Sequence, residues 1–180
     1  MRDLVERAQH GDHAAFDQLA HLVGPELFRL AVAVIGREAA TDVTQDALLR
    51  AWRELPALRD RDAFPAWTRR ILVNRCRDLV RARHGVQVLS LDWAGDAAGP
   101  GETRLMAPDH APAVVRSTDL RAALAGLSLD QRAIVALHYG LDLPIREVAR
   151  TLGLPEGTAK SRMNAALVAL RRTLLEPTDA

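Results

Sequence analysis

An all-α chain of two small helical domains joined by a flexible linker is predicted from three observations. Aromatic residues make up only 4% of the 180 residues, so a core must be built mainly from Leu, Val and Ala, which favours helices over strands. Apolar residues recur at three- and four-residue spacing in both the first and the last third of the chain. Between them, residues 84–116 are rich in Gly, Ala, Pro and Asp and lack any sustained period. Structureless stretches of that length are uncommon inside one compact domain. The predicted division is therefore a first domain over 1–83, a linker over 84–116 and a second domain over 117–180.

In the first domain, Ala15, Phe16, Leu19, Ala20, Leu22 and Val23 share a helical period. Pro25 is expected to open a second stretch through Leu27, Phe28, Leu30, Ala31 and Val34, which Gly36 ends. A third helix is predicted over 39–55, stopped by Pro56, and a fourth over 65–83, stopped near Gly85. Within the linker, Val86, Val88, Leu89, Leu91 and Trp93 form an apolar cluster able to dock on a surface. In the second domain, Ser117 or Thr118 starts a helix to Ala125, and Ser128 with Gln131 forms a capping box opening LDQRAIVALHY. Pro144 occupies an expected first helical position, with Gly153 closing that helix and Pro155 opening a longer one through Leu175. Helix, tight turn and helix make a helix-turn-helix.

Composition removes several function classes. With 24 basic and 23 acidic residues, the chain is no bulk polycation, so any nucleic-acid affinity has to come from local patches. One such patch is 69–83, with six Arg against one Asp. The single cysteine, Cys76, has no partner for an internal disulfide, and a cytoplasmic location is the expectation. The N-terminal residues carry acids and no uninterrupted apolar run, and 18 successive apolar residues occur nowhere, so neither a signal peptide nor membrane insertion is expected. His10 and His13 lack a second cysteine or a carboxylate set for a metal site. No phosphate-cradling GxxxxGK, no GxSxG and no HExxH occurs. No catalytic chemistry, metal or cofactor is expected.

Three surfaces remain. In the last helix, Ala159, Met163, Ala166, Leu167 and Leu170 fall on one face, leaving Glu156, Thr158, Lys160, Ser161, Arg162 and Asn164 toward solvent. Small and hydrogen-bonding side chains crowded at the start of a second helix suit a DNA major groove. In the fourth helix, Arg70, Asn74, Arg77 and Arg81 form one stripe, a phosphate- and base-contact pattern, with Leu72, Cys76 and Leu79 on another face as core. In the third helix, Asp42, Gln45, Asp46 and Arg53 surround Leu49, opposite Val43, Ala47 and Ala51. An apolar residue ringed by polar ones fits a partner-docking hot spot.

DVTQDALLRAW at 42–52, FPAWTRRILVNRCRDLVRAR at 64–83 and LSLDQRAIVALHYGLDLPIREVARTLGLPEGTAKSRMNAALVALRR at 127–172 together resemble the sigma-70 family of bacterial RNA polymerase initiation factors. The length and two-domain plan are similar to the extracytoplasmic-function (ECF) group. The resemblance implies that Asp42, Gln45, Asp46, Leu49 and Arg53 bind the beta-prime clamp of core RNA polymerase. It implies that the loop before Phe64 captures an unstacked base, and that Arg70, Asn74, Arg77 and Arg81 contact the -10 element during melting. Glu156, Thr158, Lys160, Ser161 and Arg162 then read the -35 element. The chain is apolar at Ala165 and Leu167, where the family commonly carries Arg, which lowers the phosphate-binding charge of the last helix. An anti-sigma factor is the further partner the resemblance implies.

Two rival readings stand beside it. Residues 127–172 are also similar to the DNA-binding domain of LuxR-type regulators, which have no need of the Leu49 patch. A helical interaction or enzyme domain could use the Arg stripe to hold an anionic ligand.

Overall fold

The computed structural model describes residues 1–83 and 117–175, and these form helices joined by short turns, with no strand among them. The first part contains α1 (Arg2–Gln9), α2 (His13–Ile35), α3 (Arg37–Glu54) and α4 (Phe64–Arg83). The second contains α5 (Ser117–Ala125), α6 (Leu129–Val135), α7 (Ile145–Leu152) and α8 (Glu156–Leu175). The expected linker with its Val86 to Trp93 cluster, and the expected stop at Gly85, lie outside the described residues.

The long helix α2 departs from the expectation of two stretches, because Pro25 lies inside it. A proline removes one backbone donor and disfavours the helix locally, but the buried stripe Ala15, Leu19, Val23, Leu27, Leu30 and Val34 runs unbroken across it. Burial of that stripe against α3 and α4 outweighs the local cost. By length and composition α2 is a candidate membrane span; its apolar stripe instead lies in the protein core, and its Glu26 accepts from Arg69 Nε of α4 at 2.6 Å.

Asp12 begins α2: its Oδ1 accepts from the Ala15 N–H at 3.0 Å, and Arg7 Nη2 donates to its Oδ2 at 2.7 Å. That backbone bond, followed by the Arg7 bond, holds the Asp12 carboxyl below its ordinary value. Gly36, at φ 88°, makes the sharp corner into α3. The α2–α3 hairpin is locked at its far end by Trp52, whose ring lies 4.9 Å from Phe16 and 4.7 Å from His13.

The Ser128–Gln131 capping box forms with both reciprocal bonds, at 2.9 and 3.2 Å. Its helix is shorter than the pattern LDQRAIVALHY implies, because after Val135 the backbone widens into a π turn over Ala136–Gly140. Pro144 is the cap of α7 and not its first residue: its ψ of 146° is extended, and helical geometry begins at Ile145. Gly153 ends α7 at φ 70°, where the Leu154 N–H reaches the Ala149 carbonyl at 2.8 Å. Pro155 likewise caps α8, its carbonyl accepting from the Ala159 N–H at 3.0 Å.

The two parts pack against each other. Helix α4 lies on α7, and α2 lies on α6 and the π turn. Leu72 and Cys76 of α4 join Ile134, Leu137, Val148 and Leu170 in one continuous apolar interior.

Candidate functional site

Three exposed surfaces carry the sequence-predicted residues. On α3, alanines and Val43 face inward: Ala40, Val43, Ala47 and Ala51 are buried. Asp42, Gln45, Asp46, Leu49 and Arg53 are all left outside on one face. Leu49 is 55% exposed, a large apolar side chain with no apolar cover. Asp46 is not simply a free rim charge, since Arg75 Nη2 of α4 donates to its Oδ2 at 2.7 Å. That bond, above all, raises the Arg75 guanidinium from its ordinary value. Nothing in the spacing of α3 pointed to Arg75, which belongs to a helix distant in sequence.

On α4 the predicted stripe forms, with Arg70, Asn74 and Arg81 exposed and Arg77 half-buried. Leu72 and Cys76 are fully buried on the other side, and Leu79 is partly so. Burial pushes the Cys76 thiol up to about 12, which makes it an inert core residue at neutral pH. Arg77 Nη1 donates to Asn74 Oδ1 at 2.8 Å, and Arg77 Nε donates to Asp130 Oδ1 of α6 at 2.9 Å.

The loop before Phe64 is braced by α1, which the sequence reading did not identify as a functional element. Gln9 Nε2 donates to the carbonyls of Leu55 and Leu58, at 3.1 and 2.7 Å. Its Oε1 accepts from Arg61 Nε at 2.9 Å, and Arg61 is also paired with Glu6 at 3.2 Å. One amide thus satisfies three groups of the segment between α3 and α4. Phe64 itself is fully buried and belongs to the core.

On α8, Ala159, Met163, Ala166 and Leu170 are buried, and Leu167 is half-buried at the edge of that face. Glu156, Lys160 and Ser161 are exposed, and Thr158 and Arg162 are half-buried. Lys160 Nζ lies 2.7 Å from Glu156 Oε1, one turn back. This bond holds the Glu156 carboxyl below its usual value. Burial lowers the Arg162 guanidinium, with Asp130 opposing the shift and Arg77 adding to it. Arg77 of the α4 stripe is thus bonded to Asp130 of α6, and Arg162 of α8 feels the field of the same carboxylate.

No group of three or more His, Cys, Asp and Glu side chains able to hold a metal ion occurs among the described residues. His10 instead donates from Nδ1 to the Glu6 carbonyl at 2.8 Å.

The chain matches known proteins across both parts. Residues 19–85 match the family model of sigma-70 region 2, and residues 117–170 match that of sigma-70 region 4. It is 34% identical to the ECF RNA polymerase sigma factor SigM of Mycobacterium tuberculosis over 165 residues, covering 91% of this chain and 79% of that protein. It is 32% identical to SigL of the same organism, covering 94% of this chain and 89% of the relative. Among solved structures, CnrH in complex with the cytosolic domain of CnrY superposes with a TM-score of 0.68 at 26% identity, covering 98% of each chain. RpoE of Bartonella quintana, in complex with the anti-sigma factor NepR, gives 0.64 at 26% identity, covering 90% of this chain and 98% of that one. A helix-turn-helix regulator of LuxR type is not favoured, because the region 2 match covers the α2, α3 and α4 segment that such a regulator does not require. The chain belongs to the extracytoplasmic-function group of the sigma-70 family and is an RNA polymerase sigma factor.

Proposed function

We propose that the chain works through three separate surfaces, each built on one helix. The face of α3 formed by Asp42, Gln45, Asp46, Leu49 and Arg53 docks on the beta-prime clamp of core polymerase. The α4 stripe Arg70, Asn74, Arg77 and Arg81 contacts the -10 element, and the loop before Phe64 receives an unstacked base. The start of α8, with Glu156, Thr158, Lys160, Ser161 and Arg162, reads the -35 element in the major groove. Residues 1–83 and 117–180 are the two functional units, and 84–116 connects them.

The observation that carries this reading is the exposed Leu49 inside its polar ring. Buried alanines beneath it hold α3 rigidly against α2, so the side chain is presented without the entropy cost of ordering a loop. Melting needs no covalent chemistry: binding energy gained on single-stranded bases offsets the loss of stacking. The chain acts in the cytoplasm as an initiation factor, without catalytic activity and without a cofactor.

An anti-sigma protein is a further partner. The likeness to RpoE, which was solved with the anti-sigma factor NepR, supports this. A pull-down from the source cell before induction is expected to recover a stoichiometric non-polymerase protein. Recovery of polymerase alone, with the free chain already active, removes that partner.

Copurification tests the central assignment. The parent is expected to retain core polymerase on a column, and Leu49→Asp to lose it while keeping its helix content. Equal retention of both would refute the docking surface.

A further inference from the structure

Residues 55–63, LPALRDRDA, join α3 to α4. They contain nothing longer than two single turns, Leu55–Ala57 and Arg61–Ala63. Their internal bonds are short in range: the Leu58 N–H donates to the Leu55 carbonyl at 3.0 Å, and the Asp62 N–H to Asp60 Oδ1 at 3.0 Å. Bonds of that kind close a turn, but they do not fix how the segment sits against the helices beside it.

Helix α1 supplies what the segment lacks. Val5 and Ala8 are buried in the core and hold α1 in place. Half-buried Gln9 follows Ala8 directly, and its Nε2 carries two N–H groups, one for the Leu55 carbonyl and one for that of Leu58. Its Oε1 accepts from Arg61 Nε, Glu6 pairs with the same guanidinium, and Arg2 Nη1 donates to Asp62 Oδ2 at 3.2 Å. These bonds leave Pro56, Ala57, Arg59 and Asp60 exposed. One side of the segment is thus held by α1 and the other is presented to solvent.

We propose that Gln9 is a positioning residue for promoter melting: it touches no DNA, and it holds 55–63 in the shape that receives the unstacked base. The proposal rests on the assignment of this loop to base capture. A loop ordered only on capture loses backbone freedom at that moment, and the loss is subtracted from the energy that offsets unstacking. A loop already held by α1 has lost that freedom during folding. Gln9 therefore acts on the opening of DNA and leaves docking and -35 reading alone, since those surfaces belong to α3 and α8.

The test uses holoenzyme assembled from core polymerase and the full chain on a promoter fragment that gives run-off transcripts. Permanganate reactivity of thymines in the -10 element reads opening. Two variants separate the parts of the brace. Gln9→Ala removes the amide. Gln9→Glu keeps its length and still accepts from Arg61, but sets a carboxylate oxygen against two carbonyl oxygens. Both are expected to hold core polymerase and the closed duplex as the parent does, and to lower opening roughly three- to tenfold, as loss of one or two hydrogen bonds does. On a heteroduplex whose -10 element is mismatched and already open, their transcript yield is expected to return close to that of the parent.

Opening equal to the parent's in both variants would overturn the proposal. So would a defect that persists undiminished on the heteroduplex or that accompanies loss of polymerase binding, since a general folding fault produces both. Arg59→Asp, on the exposed side of the loop, separates this proposal from the reading beneath it. If Arg59→Asp lowers opening and the Gln9 variants do not, base capture stands and the positioning role falls alone. If the parent opens the promoter and neither the loop variant nor the Gln9 variants alter it, base capture by 55–63 falls as well.

Discussion

Arg75 of α4 and Asp46 of α3 are joined by a 2.7 Å hydrogen bond across the helix pair, so a residue of the docking face is oriented by the neighbouring helix. The Asp46 side chain remains 52% exposed. An ion pair this open adds little to stability, about 0–1 kcal/mol. Its consequence is orientation of the rim around Leu49. Arg75→Gln is expected to leave the melting temperature nearly unchanged while weakening polymerase binding less than Leu49→Asp does. The latter is expected to cost roughly 2 kcal/mol or more. Titration of core polymerase with labelled variants reads both values, and equal losses for the two would contradict the ranking.

Arg162→Ala is expected to relax promoter choice at one or two base pairs of the -35 element, by about 1–3 kcal/mol if the guanidinium reads a base edge. Competition between single-substituted promoters measures this. Uniform weakening across all sequences would assign Arg162 to a phosphate instead.

Gln9→Ala removes a side chain that bonds Leu55, Leu58 and Arg61. Two carbonyls lose a donor, and the cost is expected to be about 1–3 kcal/mol. Hydrogen exchange should accelerate in 55–63 and leave α7 and α8 unchanged. Unaltered exchange there would mean that α1 does not hold the loop.

Much of the architecture was legible because local chemistry and tertiary packing agree. Ser128 and Gln131 form their capping box in place, and the α4 stripe falls where a 3.6-residue period puts it. The failures concern two prolines and the bonds between elements far apart in sequence. Pro25 was expected to break a helix, but the apolar stripe from Ala15 to Val34 continues across it, and burial decides. Pro144 was expected inside α7, yet its extended ψ makes it the cap. Leu49 and the α8 face could be read from one helix at a time. Gln9 with Leu58, Arg75 with Asp46 and Arg77 with Asp130 could not, since each joins helices or loops far apart in sequence and follows no period.

The Asp12 cap gives a pH dependence with a definite sign. Its carboxyl is held below the ordinary value of 3.8 in the folded chain, chiefly by the Ala15 N–H and then by Arg7. The stability it contributes is therefore fully present above the unfolded value and is lost as the pH falls through the lower folded value. Asp12→Asn is expected to flatten part of the fall in melting temperature below about pH 4. An acid limb identical to that of the parent would contradict the cap's contribution.

Cys76, buried and with its thiol pushed up to about 12, is expected to resist alkylation in the native chain and to react on unfolding. Iodoacetamide labelling at pH 8 followed by mass spectrometry checks this. Rapid native labelling would show that α4 opens readily.

Run-off transcription tests the account most directly. Core polymerase supplied with the parent chain and genomic promoter fragments is expected to give discrete transcripts that are absent without the chain. Those transcripts are expected to fall sharply with Leu49→Asp, which disrupts docking, and to change their promoter pattern with Arg162→Ala. Core polymerase that initiates at no promoter with a folded parent chain, or equally well with Leu49→Asp, would contradict it.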